Sequence, residues 1–376
     1  MSEPIPFLSP RLVGKRFEGH AVPLEVLKDL AALDELIKET AKWHFLQSNP
    51  GRQRVPRGFT DEISLRVQDI EPGSAIPLIM LYVVGSQLLF SDHQKYFERA
   101  RDSVIAAIDV ADSNGRITDH LPETILPHFD TLGRSLLDDE SIEFRPENPE
   151  RPARLNKVVR RRLILASSQA QEVTEEVVLR GTVPEADHER KSFELQVIHG
   201  PKLAAPIEPF HLETIVEAFT GYQQSVRVSV RGVVKYDRGG RPKRIERVEE
   251  VNILDPNDVL ARLDELRMLQ DGWLDGAGAA PSVEGLAWFA QEFEANYPRD
   301  AVLPYVYPTA EGGLQLEWGL PAGEVSLEID LVTKQAEWHR LNLSSSEEAA
   351  FSLDLGQAEF WEVLAQEVRN AGGTVA

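Results

Sequence analysis

A chain of 376 residues with 42% hydrophobic content can bury more than one core, and 61 acidic against 40 basic side chains give it a formal net charge of −21. That excess works against a general attraction to nucleic acid or to an anionic membrane, although a local basic patch can still act. Cysteine is absent, which excludes disulfides, thiolate catalysis and Cys-ligated zinc.

The opening residues place Glu3, Pro4 and Pro6 before any apolar run, so no signal-peptide core is expected. The apolar stretch 75–90 is interrupted by Pro77, Gly85, Ser86 and Gln87 before it reaches bilayer length. A cytoplasmic location with no membrane attachment is the expectation.

Leu27, Leu30, Leu33, Ile37 and Ala41 recur at spacings of three and four, which predicts an amphipathic helix over 24–46 with Pro23 near its first turn. Ile63, Leu65 and Val67 alternate with polar neighbours and predict a strand. A turn at Glu71, Pro72 and Gly73 leads into an apolar run suited to a buried strand paired back onto the first. Helical periodicity returns over 92–112, and a short helix is expected around 125–137, with Pro127 in its first turn.

Residues 147–156 have the proline and charge content of a linker. Beyond them the pattern alternates, predicting strands over 157–165, 175–183, 191–198, 224–236 and 241–254, with one helix at 209–219 and a hairpin turn at 237–240. This middle stretch is also electrically distinct: residues 151–250 carry 18 Lys/Arg against 14 Asp/Glu, opposite in sign to the whole. Asn257 or Asp258 caps the next predicted helix, and a glycine-rich acidic loop over 271–282 separates it from another. Strands over 301–309, 312–320, 324–332 and 333–343 follow, and Phe360, Leu364 and Val368 mark a last helix.

The expected fold class is α+β and multidomain. A first α+β unit spans 1–150, and a basic β-rich unit spans 151–256, in the form of a small curled antiparallel sheet or partly open barrel. An acidic unit spans 257–376, with helices covering one face of an antiparallel sheet.

No G-x-G-x-x-G, Walker A, G-x-S-x-G or H-E-x-x-H pattern occurs, so no motif identifies a reaction. In the third unit, alternation sends Gln315, Glu317, Ser326, Glu328 and Asp330 away from the core. Glu317, Glu328 and Asp330 are therefore the candidate catalytic residues of a metal-dependent phosphodiesterase or nuclease using Mg or Mn. A solvated sheet face gives the same pattern, so no cofactor and no metal site is the primary expectation. The loop Asp271–Gly276 resembles a calcium loop only superficially, because Trp273 occupies a ligand position.

The basic residues carry a competing reading. Arg151, Arg154 and Lys157 precede Arg160, Arg161 and Arg162, while Lys235, Arg238, Arg241, Lys243, Arg244 and Arg247 form a second group. If the two groups share one rim, then Arg160, Arg162, Lys235, Arg238, Arg241, Lys243 and Arg244 make a surface for an acidic protein partner, or for nucleic acid phosphates. Locally paired charges are the alternative.

Trp273, Asp275, Gly276, Gly285, Leu286, Tyr307, Pro308, Glu317, Trp318, Glu328, Asp330 and Trp338 are placed as in a C-terminal module of uncharacterised bacterial proteins, which residues 271–342 resemble. Some of those proteins are encoded near toxin–antitoxin or phage-defence genes. The resemblance implies no reaction. It favours a non-enzymatic interaction or regulatory role, with the nuclease and nucleic-acid readings as alternatives. Neither the partner nor the oligomeric state is given by the sequence.

Overall fold

The computed structural model describes residues 4–61, 63–71, 75–83, 87–144, 152–320, 323–342 and 347–372. The turn residues Pro72 and Gly73, the linker residues 147–151 and with them Arg151 lie outside that description. The fold is α+β, and the chain divides into two compact units, Met1–Val177 with Arg231–Arg247 and Val178–Val230 with Val248–Ala376. The basic stretch 151–256 thus contributes to both.

In chain order the regular elements begin with strands β1 (Ile5–Leu8) and β2 (Arg11–Val13) and helix α1 (Leu24–Ser48). The hairpin β3 (Ile63–Glu71) and β4 (Ile76–Val83) leads into α2 (Gln87–Asp112), β5 (Ser141–Phe144), β6 (Ala153–Leu155) and α3 (Lys157–Leu165). Two three-stranded sheets result, ordered β1-β4-β3 and β2-β5-β6. The apolar stripe of α1, with Val26, Leu30, Leu33 and Ile37, packs into one core with Phe97, Val104 and Ile108 of α2 and Val159 and Leu163 of α3.

Residues 157–165 form a helix, not the expected strand. Asn156 caps it, its side chain accepting from the Val159 amide at 2.9 Å. Its buried residues, Val159, Arg160, Leu163 and Ile164, follow a helical repeat and not the alternation RRLILA suggests. The helix expected at 125–137 shortens to a 3₁₀ turn at Leu126–Asp130, with Pro127 in its first turn.

The middle of the chain supplies β7 (Glu172–Asp187), β8 (Ser192–Val197), β9 (Lys202–Pro206), α4 (Leu212–Thr220), β10 (Val228–Asp237) and β11 (Pro242–Ile253). These strands form the expected curled antiparallel sheet, ordered β11-β10-β7-β8-β9. The predicted hairpin turn sits at 237–240, where Gly240 has φ +83 and donates to the Asp237 carbonyl at 3.0 Å.

The remaining elements are α5 (Val259–Leu266), α6 (Val283–Asn296), β12 (Tyr305–Pro308), β13 (Leu314–Leu320), β14 (Gly323–Ile329), β15 (Gln335–Asn342), β16 (Glu348–Asp354) and α7 (Ala358–Asn370). Strands β12 to β16 make an antiparallel meander in sequential order. Leu316, Trp318, Leu327 and Trp338 on one face join Leu263 of α5, Phe289 of α6 and Trp361 of α7 in a core. Helices therefore cover one face of this sheet, as the alternation predicted.

Candidate functional site

The predicted basic surface is mostly consumed in bonding. Arg160 is 1% exposed. Its guanidinium donates to the carbonyls of Phe129 (3.1 Å) and Thr174 (2.8 Å), and to both the carbonyl and the carboxylate of Asp130. Burial pulls its pKa down to about 10, which the nearby Asp130 charge opposes, so the side chain stays cationic at neutral pH. It cannot touch a partner, and its place in the predicted contact set is overturned.

Most other cations of that set are also engaged within the chain. Lys235 lies 2.8 Å from Glu246 and 3.6 Å from Glu172, and Lys243 lies 3.8 Å from Asp237. Arg162 donates to the Ala111 carbonyl at 3.1 Å. Arg238 donates to the carbonyls of Leu165 (2.9 Å) and Ala170 (2.6 Å), closing the C-terminal end of α3. Arg241 and Arg244 remain exposed, and neither side chain forms an ion pair among the described residues, although the Arg241 amide donates to the Asp237 carboxylate at 2.9 Å. Of the predicted set Arg162, Arg238, Arg241, Lys243 and Arg244 are exposed, the first, second and fourth of them engaged within the chain, while Arg160 is buried and Lys235 half-buried in its ion pairs.

The three candidate metal carboxylates also separate. Asp330 accepts from the amides of Val332 (2.8 Å) and Thr333 (3.0 Å), and these bonds hold its carboxyl below the usual range. It shapes the turn between β14 and β15. Glu317 accepts from the Gln315 amide at 2.8 Å, while Glu328 is exposed one row away, opposite Gln315 and Glu337. Among the described residues no group of three His, Asp or Glu side chains is placed to hold a metal.

The loop at 271–280 is closed on itself. The Trp273 indole donates to the Ala279 carbonyl at 3.0 Å, Asp271 accepts from the Ala280 amide at 2.9 Å, and the Gly272 amide donates to the Gly278 carbonyl at 2.8 Å. Trp273 docks within its own loop.

What the fold does assemble is a groove of about 720 Å³ on the uncovered face of the C-terminal meander. The register places Tyr305, Glu317, Ser326, His339 and Ala350 in one row across all five strands. The flanking rows add Tyr307, Gln315, Glu328 and Glu337 on one side, and Gly319, Glu324 and Glu348 on the other. Tyr305 and Tyr307 are 51% and 43% exposed on the first strand. His339 lies 3.8 Å from Glu337, while no cation among the described residues pairs with Glu317, Glu324, Glu328 or Glu348.

The surface is thus acidic, concave and edged by phenols. Such a surface suits cations presented on an extended scaffold, with aromatic rings to lie against them. Glu317 and Glu328 were legible from alternation, and Tyr307 was named only through the resemblance. Glu324 and Glu348 were not singled out, although the alternating run GEVSLEI already turned Glu324 outward.

No family model, curated protein or solved structure matches the chain. No described helix is long and apolar enough to cross a membrane.

Proposed function

We propose that the chain is a non-enzymatic interaction protein that binds a basic polypeptide on the acidic outer face of its C-terminal meander. The observation that carries this reading is the set of unpaired carboxylates, Glu317, Glu324 and Glu348, lining a groove with two exposed tyrosines. The groove's basic residues, Arg340 and His339, lie against Glu367 and Glu337, so the three carboxylates keep a negative local potential that a partner's Lys or Arg relieves. The chain's own charge of −21 adds a steering field of the same sign. The resemblance of residues 271–342 to a module encoded near toxin–antitoxin and phage-defence genes supports a regulatory or neutralising role in such a pair.

The test is co-expression with the products of neighbouring genes, comparing the natural chain with a Glu317→Gln, Glu324→Gln, Glu348→Gln variant. A basic partner retained by the first and released by the second, with retention falling as salt rises, is the expected result. Equal retention by a folded variant overturns the reading.

A further inference from the structure

The two edges of the C-terminal meander are finished differently. On the first, β12 is four residues long and ends in Pro308, and the Arg262 guanidinium donates to the Val306 carbonyl at 3.1 Å. That edge carries the usual devices against strand pairing: shortness, a proline and a side chain on the main chain. On the other, β16 reads Glu-Ala-Ala-Phe-Ser-Leu-Asp, without proline or lysine, and its residues from Glu348 to Ser352 are all exposed.

The hydrogen-bond phase of β16 is fixed by one bond. The Leu355 amide donates to the Lys334 carbonyl at 3.1 Å, and the ladder pairs Ala336 with Leu353 and Trp338 with Phe351. Alternation therefore aims the main chain of Ala349, Phe351 and Leu353 at β15, and that of Ala350 and Ser352 outward. The side chains of Ala349 and Phe351 lie on the helix-covered face yet are exposed, Phe351 being 37% exposed with its ring 6.0 Å from that of Trp338. On the opposite face the acidic groove runs as far as Glu348 and Ala350.

We infer that the basic partner docks by adding a strand to the free edge of β16. The added strand is an extended segment whose alternate apolar side chains cover Ala349 and Phe351, and whose flanking Lys or Arg residues meet the groove carboxylates. This rests on the proposed function and specifies how the partner binds. Charge selects the occupant: pairing β16 with a second copy about Phe351 sets Glu348 against Asp354, between two chains of charge −21. A cationic strand meets those ends favourably.

The experiment titrates the intact protein calorimetrically with the peptide Lys-Lys-Val-Thr-Val-Thr-Val-Lys-Lys and with the same peptide N-methylated at every Val and Thr. Methylation keeps the charge and removes the strand donors. Ala350→Pro supplies the matching change in the protein, because it deletes an outward N–H while leaving the β15 ladder intact. Expected is binding of the parent peptide, weakened about tenfold or more by methylation and, separately, by A350P with an unchanged near-ultraviolet spectrum.

Equal binding of both peptides to the natural chain overturns strand addition and leaves the acidic-face reading standing, whatever the folding of the variant. No binding of the parent peptide overturns both. A dimer of the natural chain in sedimentation, abolished by A350P, makes a second copy the occupant and overturns the basic strand.

Discussion

Arg160 donates to both the main-chain carbonyl and the carboxylate of Asp130, thirty residues earlier in the chain, from a position that water does not reach. The same guanidinium reaches the carbonyls of Phe129 and Thr174. A planar donor fork serves several acceptors at once, and an ammonium cannot reproduce it. Removing it strands these acceptors in the core.

Arg160→Ala is therefore expected to cost about 3 kcal/mol or more, and Arg160→Lys to recover only a minor part. Urea unfolding of the three proteins measures this. A loss under about 1 kcal/mol would show that the carbonyls find other partners.

Asp29 predicts a pH effect of definite sign. Its carboxylate accepts from the amide (2.7 Å) and hydroxyl (2.8 Å) of Ser135, but burial dominates and raises its pKa above the ordinary 3.8. The folded state then holds the proton more tightly than the unfolded state. The contribution of Asp29 to stability accordingly falls as pH rises through the window that opens at 3.8. Asp29→Asn, which keeps an oxygen acceptor for Ser135, removes this slope. Asp237, Asp300 and Asp330 have lowered values and act in the opposite direction, so the quantity to measure is the difference between the two proteins across pH.

The buried tryptophans of the meander separate packing from hydrogen bonding. The Trp318 indole donates to the Tyr297 hydroxyl and the Val302 carbonyl, each at 3.1 Å, whereas the Trp338 indole has no acceptor among the described residues. Both are replaced by Phe with a similar loss of volume. Trp318→Phe is expected to be the more destabilising by about 1 kcal/mol, read from denaturant midpoints.

Gly313 lets the start of β13 lie close against the end of β14. A methyl group there would lie 2.4 Å from the Ile329 carbonyl oxygen, and the Gly313 amide is engaged with Thr309 Oγ1 at 3.0 Å. Gly313→Ala is expected to cost about 1–3 kcal/mol, with thermal melting as the measurement.

The parts of this fold legible in the sequence are those with one-sided burial. Leu30, Leu33 and Ile37 mark α1, and Leu316, Trp318, Val325 and Leu327 mark β13 and β14, because each set faces a core while its neighbours face water. Strand β16 is illegible for the converse reason. With Ala349 and Phe351 exposed as well as Ala350 and Ser352, neither face imposes an alternation to read.

Helix α3 misleads because it is short and carries Val158, Val159 and Ile164, whose branched side chains suit strands equally well. The fate of the cations is hidden for another reason. Arg160 is satisfied by carbonyls, which every residue possesses, and Lys235 by Glu246 of the neighbouring strand together with Glu172, distant in the chain. Clustering in sequence counts charges but does not reveal their partners. The acidic groove follows the same logic: its rows of side chains are set by strand register, which pairs Tyr305 with Glu317 and His339 with Ala350.

The guard that Arg262 mounts on Val306 limits valency. A sheet with a single accepting side can take on one guest and then stops growing, since the guest's own outer border meets no second host of the same kind. Stripping the guard, as in Arg262→Ala, would leave β12 protected by its shortness and Pro308 alone, and end-to-end polymerisation into fibrils is the hazard that the three devices together hold off.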